Sequence, residues 1–290
     1  MLPADNLADH PQHHHPFPRA SGAERVSPLS HAWIARLRRL RHPRGREVEG
    51  LVLVEGPRTI ESAIRGGAVP AALVVDPAWA AAHDELCRHW TQLASRELAW
   101  WSLPPDALRR IATTETAPGV LAAVPIPEPG IARGRTAGPL RDGLGLALRV
   151  NDPGNLGTIL RAAWAAGVRA VWLVSGTVDP WNPKVVRAGA GAHWHLDWAW
   201  VRDASEAVVQ AGVGPAAIWL ADPHRGIAPW EAERFPAQLL VVGHETAGLP
   251  SGLPGVPVRI PMPGGAESLN VAQATALLLY ELIRTRAGRP

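Results

Sequence analysis

The stretch Asn151–Ala163, NDPGNLGTILRAA, decides the fold. Before it runs GLGLALRV (143–150), apolar and of strand length; from Leu156 onward LGTILRAAWAAG has helical spacing, and RAVWLV (169–174) is apolar again. A strand, a helix and a second strand so closely joined make a βαβ unit, whose two strands lie parallel. The joint is unusually polar for that setting, with two asparagines, an acid, a proline and two glycines.

The alternation continues downstream. A helix is predicted near Pro183–Ala190, a strand around Trp194–Trp200 and a helix over ASEAVVQAG (204–212). Strands follow at AAIWLA (216–221), QLLVVG (238–243) and VPVRI (256–260), then a last helix over SLNVAQATALLLYELIRTR (268–286). This pattern implies an α/β domain, residues 144–290, with a mainly parallel sheet covered on both faces. Ligands in such sheets sit beyond the carboxyl ends of the strands, where the polar joint lies.

Upstream, residues 125–143 (PIPEPGIARGRTAGPLRDG) are rich in Pro and Gly and read as a linker. Residues 28–124 form a second, smaller α/β unit. It starts with a helix from Pro28 that puts Trp33, Leu37 and Leu40 on one face. LVLVEG (51–56), a helix over PRTIESAIRGG (57–67), AALVVD (71–76), a helix from Pro77 to Trp90, a strand near Leu98–Trp101, a short helix after Pro104 and GVLAAV (119–124) complete it. Residues 1–27 lack apolar periodicity and read as a disordered tail, with His13, His14 and His15 solvated in it.

The 290 residues, 47% apolar, suffice for a proper core. No apolar run approaches the roughly 20 residues of a membrane-spanning helix, and no basic-then-apolar secretory pattern opens the chain, so a cytoplasmic protein is expected. Cys87 is the single cysteine, which excludes internal disulfides and a cysteine-built zinc site; no metal is expected. Of 29 basic residues only Lys184 is lysine. A G+C-rich genome explains that bias, and arginine's planar fork also suits phosphate. Arg36, Arg38, Arg39, Arg41, Arg44 and Arg46 follow one another with no acid between His31 and Arg46, which marks a candidate nucleic-acid contact.

Familiar motifs fail. After the strand, Gly154 and Gly157 lack the third glycine of a dinucleotide fingerprint, Lys184 is followed by Val185 rather than Ser or Thr, and no G-x-S-x-G is present. His193 and His195 alternate on a predicted strand and read as structural or surface residues. Three of only five asparagines, Asn151, Asn155 and Asn270, fall in loops that follow strands. Those loops are NDPGNLGTILR, VVGHETAGLP (241–250) and RIPMPGGAESLN (259–270).

Taken in order, NDPGNLGTILRAAWAAGV, VVGHETAGL and IPMPGGAESLNVAQATALLLYE resemble the three motifs of the SpoU/TrmH family (SPOUT superfamily) of S-adenosylmethionine-dependent RNA ribose 2′-O-methyltransferases. The likeness spans about residues 144–286. The N-terminal half, with its Arg-rich helix, VLVEGPRTIESAIRGG and TTETAPGVLAAV, is similar to the small RNA substrate-binding domain often fused to the family.

The resemblance implies a C-terminal trefoil knot, a methyl donor held largely by backbone at Gly243, Ile260 and Leu269, and a homodimer. It implies catalysis by Asn155, Arg161, Glu245, Ser268 and Asn270, with RNA carried by Arg36, Arg38, Arg39, Arg41 and Arg44. Ribosomal RNA is the favoured substrate; transfer RNA, or a non-catalytic RNA-binding assembly role, is the alternative. The apolar face of the last helix (Leu269, Ala276, Leu279, Tyr280, Ile283) suits either a dimer contact or the monomer core.

Asn155, at a helix start, suits capping or orienting a ribose. Ser268 alone would pass as the cap of the last helix. An arginine side chain keeps its proton at neutral pH, which makes Arg161 a costly base, so clamping phosphate and positioning the hydroxyl are its expected roles. Glu245 would orient Asn155 or Arg161. Thr246 stands where the family usually has Gly, Gly189 where Ser is common, and Gln273 where an apolar residue is usual.

Overall fold

A computed structural model describes residues 27–93, 100–114, 118–127, 140, 143–232, 237–244 and 246–286. The first 26 residues, most of the expected linker and Glu245 lie outside the described residues.

In the C-terminal half, strands β6 (Leu144–Leu148), β7 (Val168–Val174), β8 (Asp197–Val201), β9 (Ile218–Ala221), β10 (Leu239–Val242) and β11 (Val256–Val258) form one sheet, ordered β11-β9-β10-β6-β7-β8. Every pairing in it is parallel. Successive side chains on these strands serve opposite faces. Leu146, Leu148, Val171 and Leu173 pack with helices α7 (Pro153–Ala165), α8 (Pro183–Gly189) and α10 (Val271–Arg286). Ala147, Trp172 and Val174 pack with α9 (Ala204–Ala211) on the other face. The chain winds outward from β6 through β7 to β8, then returns to lay β10 against the other edge of β6. That reversal makes the carboxyl ends of β6 and β10 the topological switch point, where open parallel sheets bind ligands.

The N-terminal half has its own sheet, β1-β4-β3-β5-β2, from β1 (Ser27–Pro28), β2 (Leu51–Glu55), β3 (Ala72–Val75), β4 (Trp100–Ser102) and β5 (Val120–Pro125). β5 runs antiparallel to both β2 and β3. Its helices are α1 (His31–Arg39), α2 (Pro43–Glu49), α3 (Pro57–Arg65), α4 (Pro77–Ala82), α5 (Asp84–Leu93) and α6 (Pro105–Ile111). Leu37 and Leu40 are fully buried under α1. Val52 and Val54 of β2, with Ile60 of α3, join one apolar cluster with α7 and β6, so the halves share a core. Across the same joint, the buried Arg46 donates to the Asp179 carboxylate and, through Nη1, to the Leu40 carbonyl at 3.0 Å.

Several expected elements shift. The helix expected over 77–90 breaks at His83, whose ring Nδ1–H donates to the Trp79 carbonyl at 2.8 Å while its backbone N–H donates to the Ala80 carbonyl. The strand expected from Trp194 begins only at Asp197. His193 and Trp194 instead lie in a turn of 3₁₀ helix, entered through Gly191 at φ 92°. The last helix begins at Val271, not Ser268. Asn270 caps it, its Oδ1 accepting from Ala272 at 2.9 Å and Gln273 at 3.4 Å. Of the apolar face expected on α10, Leu279 belongs to the monomer core, whereas Tyr280 and its neighbour Leu277 are exposed.

Candidate active site

The polar joint forms a tight corner. Asp152, not Asn155, caps α7: its Oδ1 accepts from the Asn155 backbone N–H at 2.7 Å, and Pro153 opens the first turn. With the cap supplied by Asp152, the Asn155 side chain can turn elsewhere. Its Oδ1 accepts from Asn270 Nδ2 at 3.0 Å, tying the start of α7 to the start of α10. Asn270 thus serves two helices at once, as a cap through its oxygen and as a donor through its nitrogen.

The second loop closes on itself. The His244 and Gly248 backbones exchange hydrogen bonds of 3.1 and 2.8 Å. The His244 ring fills the turn. Its Nδ1 accepts from Thr246 N–H at 3.2 Å, Thr246 Oγ1 at 3.0 Å and Ala247 N–H at 3.3 Å. Thr246 therefore helps to fix this ring through its hydroxyl. Nε2 of His244 lies 2.9 Å from the side-chain amide of Asn151, joining the second loop to the first. A Cβ at Gly243 would lie 2.4 Å from the Gly248 carbonyl carbon, so only glycine lets the turn fold this tightly.

These loops enclose a cavity of about 640 Å³ beyond the carboxyl ends of β9, β10 and β11. Asn155, Gly243, Ile260, Ser268, Leu269 and Asn270 all line it. Ser268 is exposed and lies upstream of α10, so it is a rim residue and not a cap. Arg161 is not in the lining. It sits on the exposed face of α7, six residues beyond Asn155 and so about 9 Å along the axis. Among the described residues it has no hydrogen bond or ion pair.

Sequence reading missed a fourth wall, the turn Asp222–Arg225 after β9. Asp222 accepts backbone N–H groups of His224 and Arg225 at 2.8 and 2.9 Å and pairs with the Arg225 guanidinium at 3.2 Å. Burial opposes ionisation of Asp222, but these donors outweigh it and hold the carboxyl below its ordinary range. The signal was present: DPHRG is a turn sequence placed directly after a strand of a parallel sheet.

The expected arginine surface is less uniform than the sequence implied. Glu49 of α2 folds back onto α1 and pairs with Arg36 and, at 2.6 Å, with Arg39. Burial works against that carboxylate and the two guanidinium groups override it, lowering its pKa. Arg46 is buried and structural. Arg38, Arg41 and Arg44 remain exposed.

Comparison with known proteins agrees with this geometry. The profile of the SpoU rRNA Methylase family matches residues 146–280, and that of the MRM3-like substrate binding domain matches residues 32–122. The 23S rRNA (guanosine(2553)-2'-O)-methyltransferase RlmP of Bacillus subtilis is 30% identical over 236 residues, 79% of this chain and 87% of that one. The chain belongs to the SpoU rRNA methylase family. The 23S rRNA (uridine(2479)-2'-O)-methyltransferase of Streptomyces viridochromogenes is 32% identical over 200 residues, 65% of this chain and 68% of that one. Among solved structures, the SpoU methyltransferase AviRb from Streptomyces viridochromogenes in complex with the cofactor AdoMet superposes with a TM-score of 0.73. It is 29% identical and covers 90% of this chain and 100% of that one.

As a SpoU methylase, this chain is an S-adenosylmethionine-dependent RNA methyltransferase, and the cavity fits that donor. Val242, Val258, Ile260, Met262 and Leu278 give it apolar walls for a base ring. Among the described residues, the backbone N–H and C=O groups of Ile260 and Leu269 make no hydrogen bond, which leaves them for a bound ligand.

Proposed function

We propose that this SpoU methylase methylates a ribose 2′-hydroxyl of ribosomal RNA. The observation that carries the site assignment is the Asn155–Asn270 hydrogen bond, which fixes two loops at the mouth of the cavity. The ribosomal substrate is supported by the names of the relatives, which are 23S rRNA 2'-O-methyltransferases.

When bound, S-adenosylmethionine supplies an electrophilic methyl group on a sulfonium, so placing the acceptor is the protein's main contribution. Gly243, Ile260 and Leu269 hold the donor through backbone groups. Asn155 and Asn270 orient the ribose, with Ser268 at the rim, and Glu245 has the role of orienting Asn155 or Arg161. Arg161, exposed on α7, reaches toward the mouth to clamp the acceptor phosphate, and a phosphate oxygen or water takes the hydroxyl proton. The segment from β11 into α10 threads as a trefoil knot, and the N-terminal half holds structured RNA through Arg38, Arg41 and Arg44, with Arg36 and Arg39 partly neutralised. A homodimer forms over α7 and α10, covering Leu277 and Tyr280.

The test is transfer of labelled methyl groups from S-adenosylmethionine to purified transcripts. Labelling of ribosomal RNA is the expected result. Labelling of transfer RNA alone would overturn the substrate, and an Arg161→Ala protein with full biological function would favour a non-catalytic assembly factor.

A further inference from the structure

Beyond the cavity, one surface joins the two halves of the molecule. α8 packs beside α7 and buries Val185, Val186 and Gly189 beneath it, which fixes the opposite face outward. That outward face carries Lys184 and Arg187, three residues apart and therefore neighbours, with about 5–6 Å between Cβ atoms. Lys184 reaches back toward the site. Its Nζ is 3.8 Å from the Asp152 carboxylate that caps α7, and a Cβ on Gly154 would lie 3.6 Å from its Cε. The ammonium thus lies beside Asp152 and Gly154, at the start of the helix that carries Asn155. Arg187 reaches the other way, its Nη1 3.4 Å from Thr113 Oγ1 in the N-terminal half.

We infer that Lys184 and Arg187 form a phosphate track that leads the RNA backbone from the reacting ribose across α8 to the N-terminal half. The inference rests on the chain's being an RNA methyltransferase. Both side chains are exposed, so binding a phosphodiester requires little desolvation. The Lys184–Asp152 pair, with side chains 57% and 45% exposed, is worth at most about 1 kcal/mol and yields readily to a phosphate. Composition adds an independent pointer. Arginine fills every other basic position of the chain, yet the residue beside Asp152 is lysine.

The test uses the full-length protein and a labelled oligoribonucleotide of mixed sequence, with affinity measured across a salt series. Replacing both residues, Lys184→Gln with Arg187→Gln, is expected to weaken binding about 10-fold near 0.1 M salt and to make the log–log salt slope shallower by about 1.4, two single-strand phosphate contacts. S-adenosylmethionine affinity and Tm stay unchanged, and Lys184→Arg retains the salt slope because the ligand reads charge. An unaltered slope and affinity in the double variant overturns the track. Wild-type protein that binds RNA through these residues but transfers no methyl group to any RNA supports the track and overturns the proposed activity instead.

Discussion

Asn270 Nδ2 donates to Asn155 Oδ1 at 3.0 Å, while Asn270 Oδ1 caps the helix that follows it. The two duties separate by mutation. Asn270→Asp keeps an oxygen for the backbone N–H groups but turns a second oxygen on Asn155, so Tm is expected to hold while kcat falls about 100-fold, the order seen on removing one preorganised polar group. Asn270→Ala removes both duties, and adds about 1 kcal/mol of instability from the missing cap. Thermal unfolding alongside steady-state kinetics checks the pair.

Arg161 separates activity from stability in the opposite setting. It is exposed on α7 and pairs with none of the described residues, so Arg161→Ala should shift stability by less than about 0.5 kcal/mol. Its loss as a phosphate clamp is expected to lower kcat/KM by about 100-fold or more, and Arg161→Lys to restore only a fraction because an ammonium cannot bind bidentately. Equal kcat/KM in wild type and Arg161→Ala would remove the residue from the mechanism.

The sequence disclosed the sheet because its strands are near-continuous apolar runs such as GLALRV and QLLVVG, and it disclosed the site because asparagines are rare in this chain. It misassigned the caps. Asp152 and Asn155, or Ser268 and Asn270, are equally good cap types three or two residues apart, and only tertiary placement decides which one the backbone uses. Charge misled for a related reason. The run from Arg36 to Arg46 lacks acids in sequence, but Glu49 and Asp179 come to it in space. The wall at Asp222–Arg225 could be placed from DPHRG as a turn after a strand, but a short polar turn has no periodicity to show that it faces the cavity.

That charge pattern predicts an uneven arginine scan. Arg38, Arg41 and Arg44 face solvent, so changing each to Gln should flatten the salt dependence of RNA binding by about 0.7 for each phosphate no longer neutralised. Arg36→Gln and Arg39→Gln should flatten it less, since Glu49 already offsets those charges. Equal slopes across all five variants would contradict the assignment.

Gly189 is packed too tightly to carry a side chain. A Cβ there would lie 2.7 Å from Cε1 of His193, whose ring is buried and held by the Pro180 carbonyl at 2.9 Å. Gly189→Ser is therefore expected to cost about 1–3 kcal/mol by overpacking. Shrinking the neighbour relieves the clash, so Gly189→Ser with His193→Ala should be more stable than the two separate effects added together. A double-mutant cycle in denaturant measures that coupling.

The same histidine gives the fold an acid limit. Burial drives the His193 pKa from 6.5 down to about 4, against smaller opposing effects from the Pro180 carbonyl and Asp179. The folded protein holds the ring neutral, whereas the unfolded chain takes up a proton near pH 6.5. Unfolded protein therefore binds more protons between those values, and stability falls as pH drops from about 6.5 to 4. At about 1.36 kcal/mol per pH unit the loss attributable to this ring is about 3 kcal/mol, complete near pH 4, with no contribution to the slope above about pH 7. His193→Phe, which stays apolar at every pH, should flatten this part of the curve whatever its effect on absolute stability. Urea midpoints for wild type and variant across pH 4–7.5 make the comparison, and parallel curves would show that His193 does not set the limit.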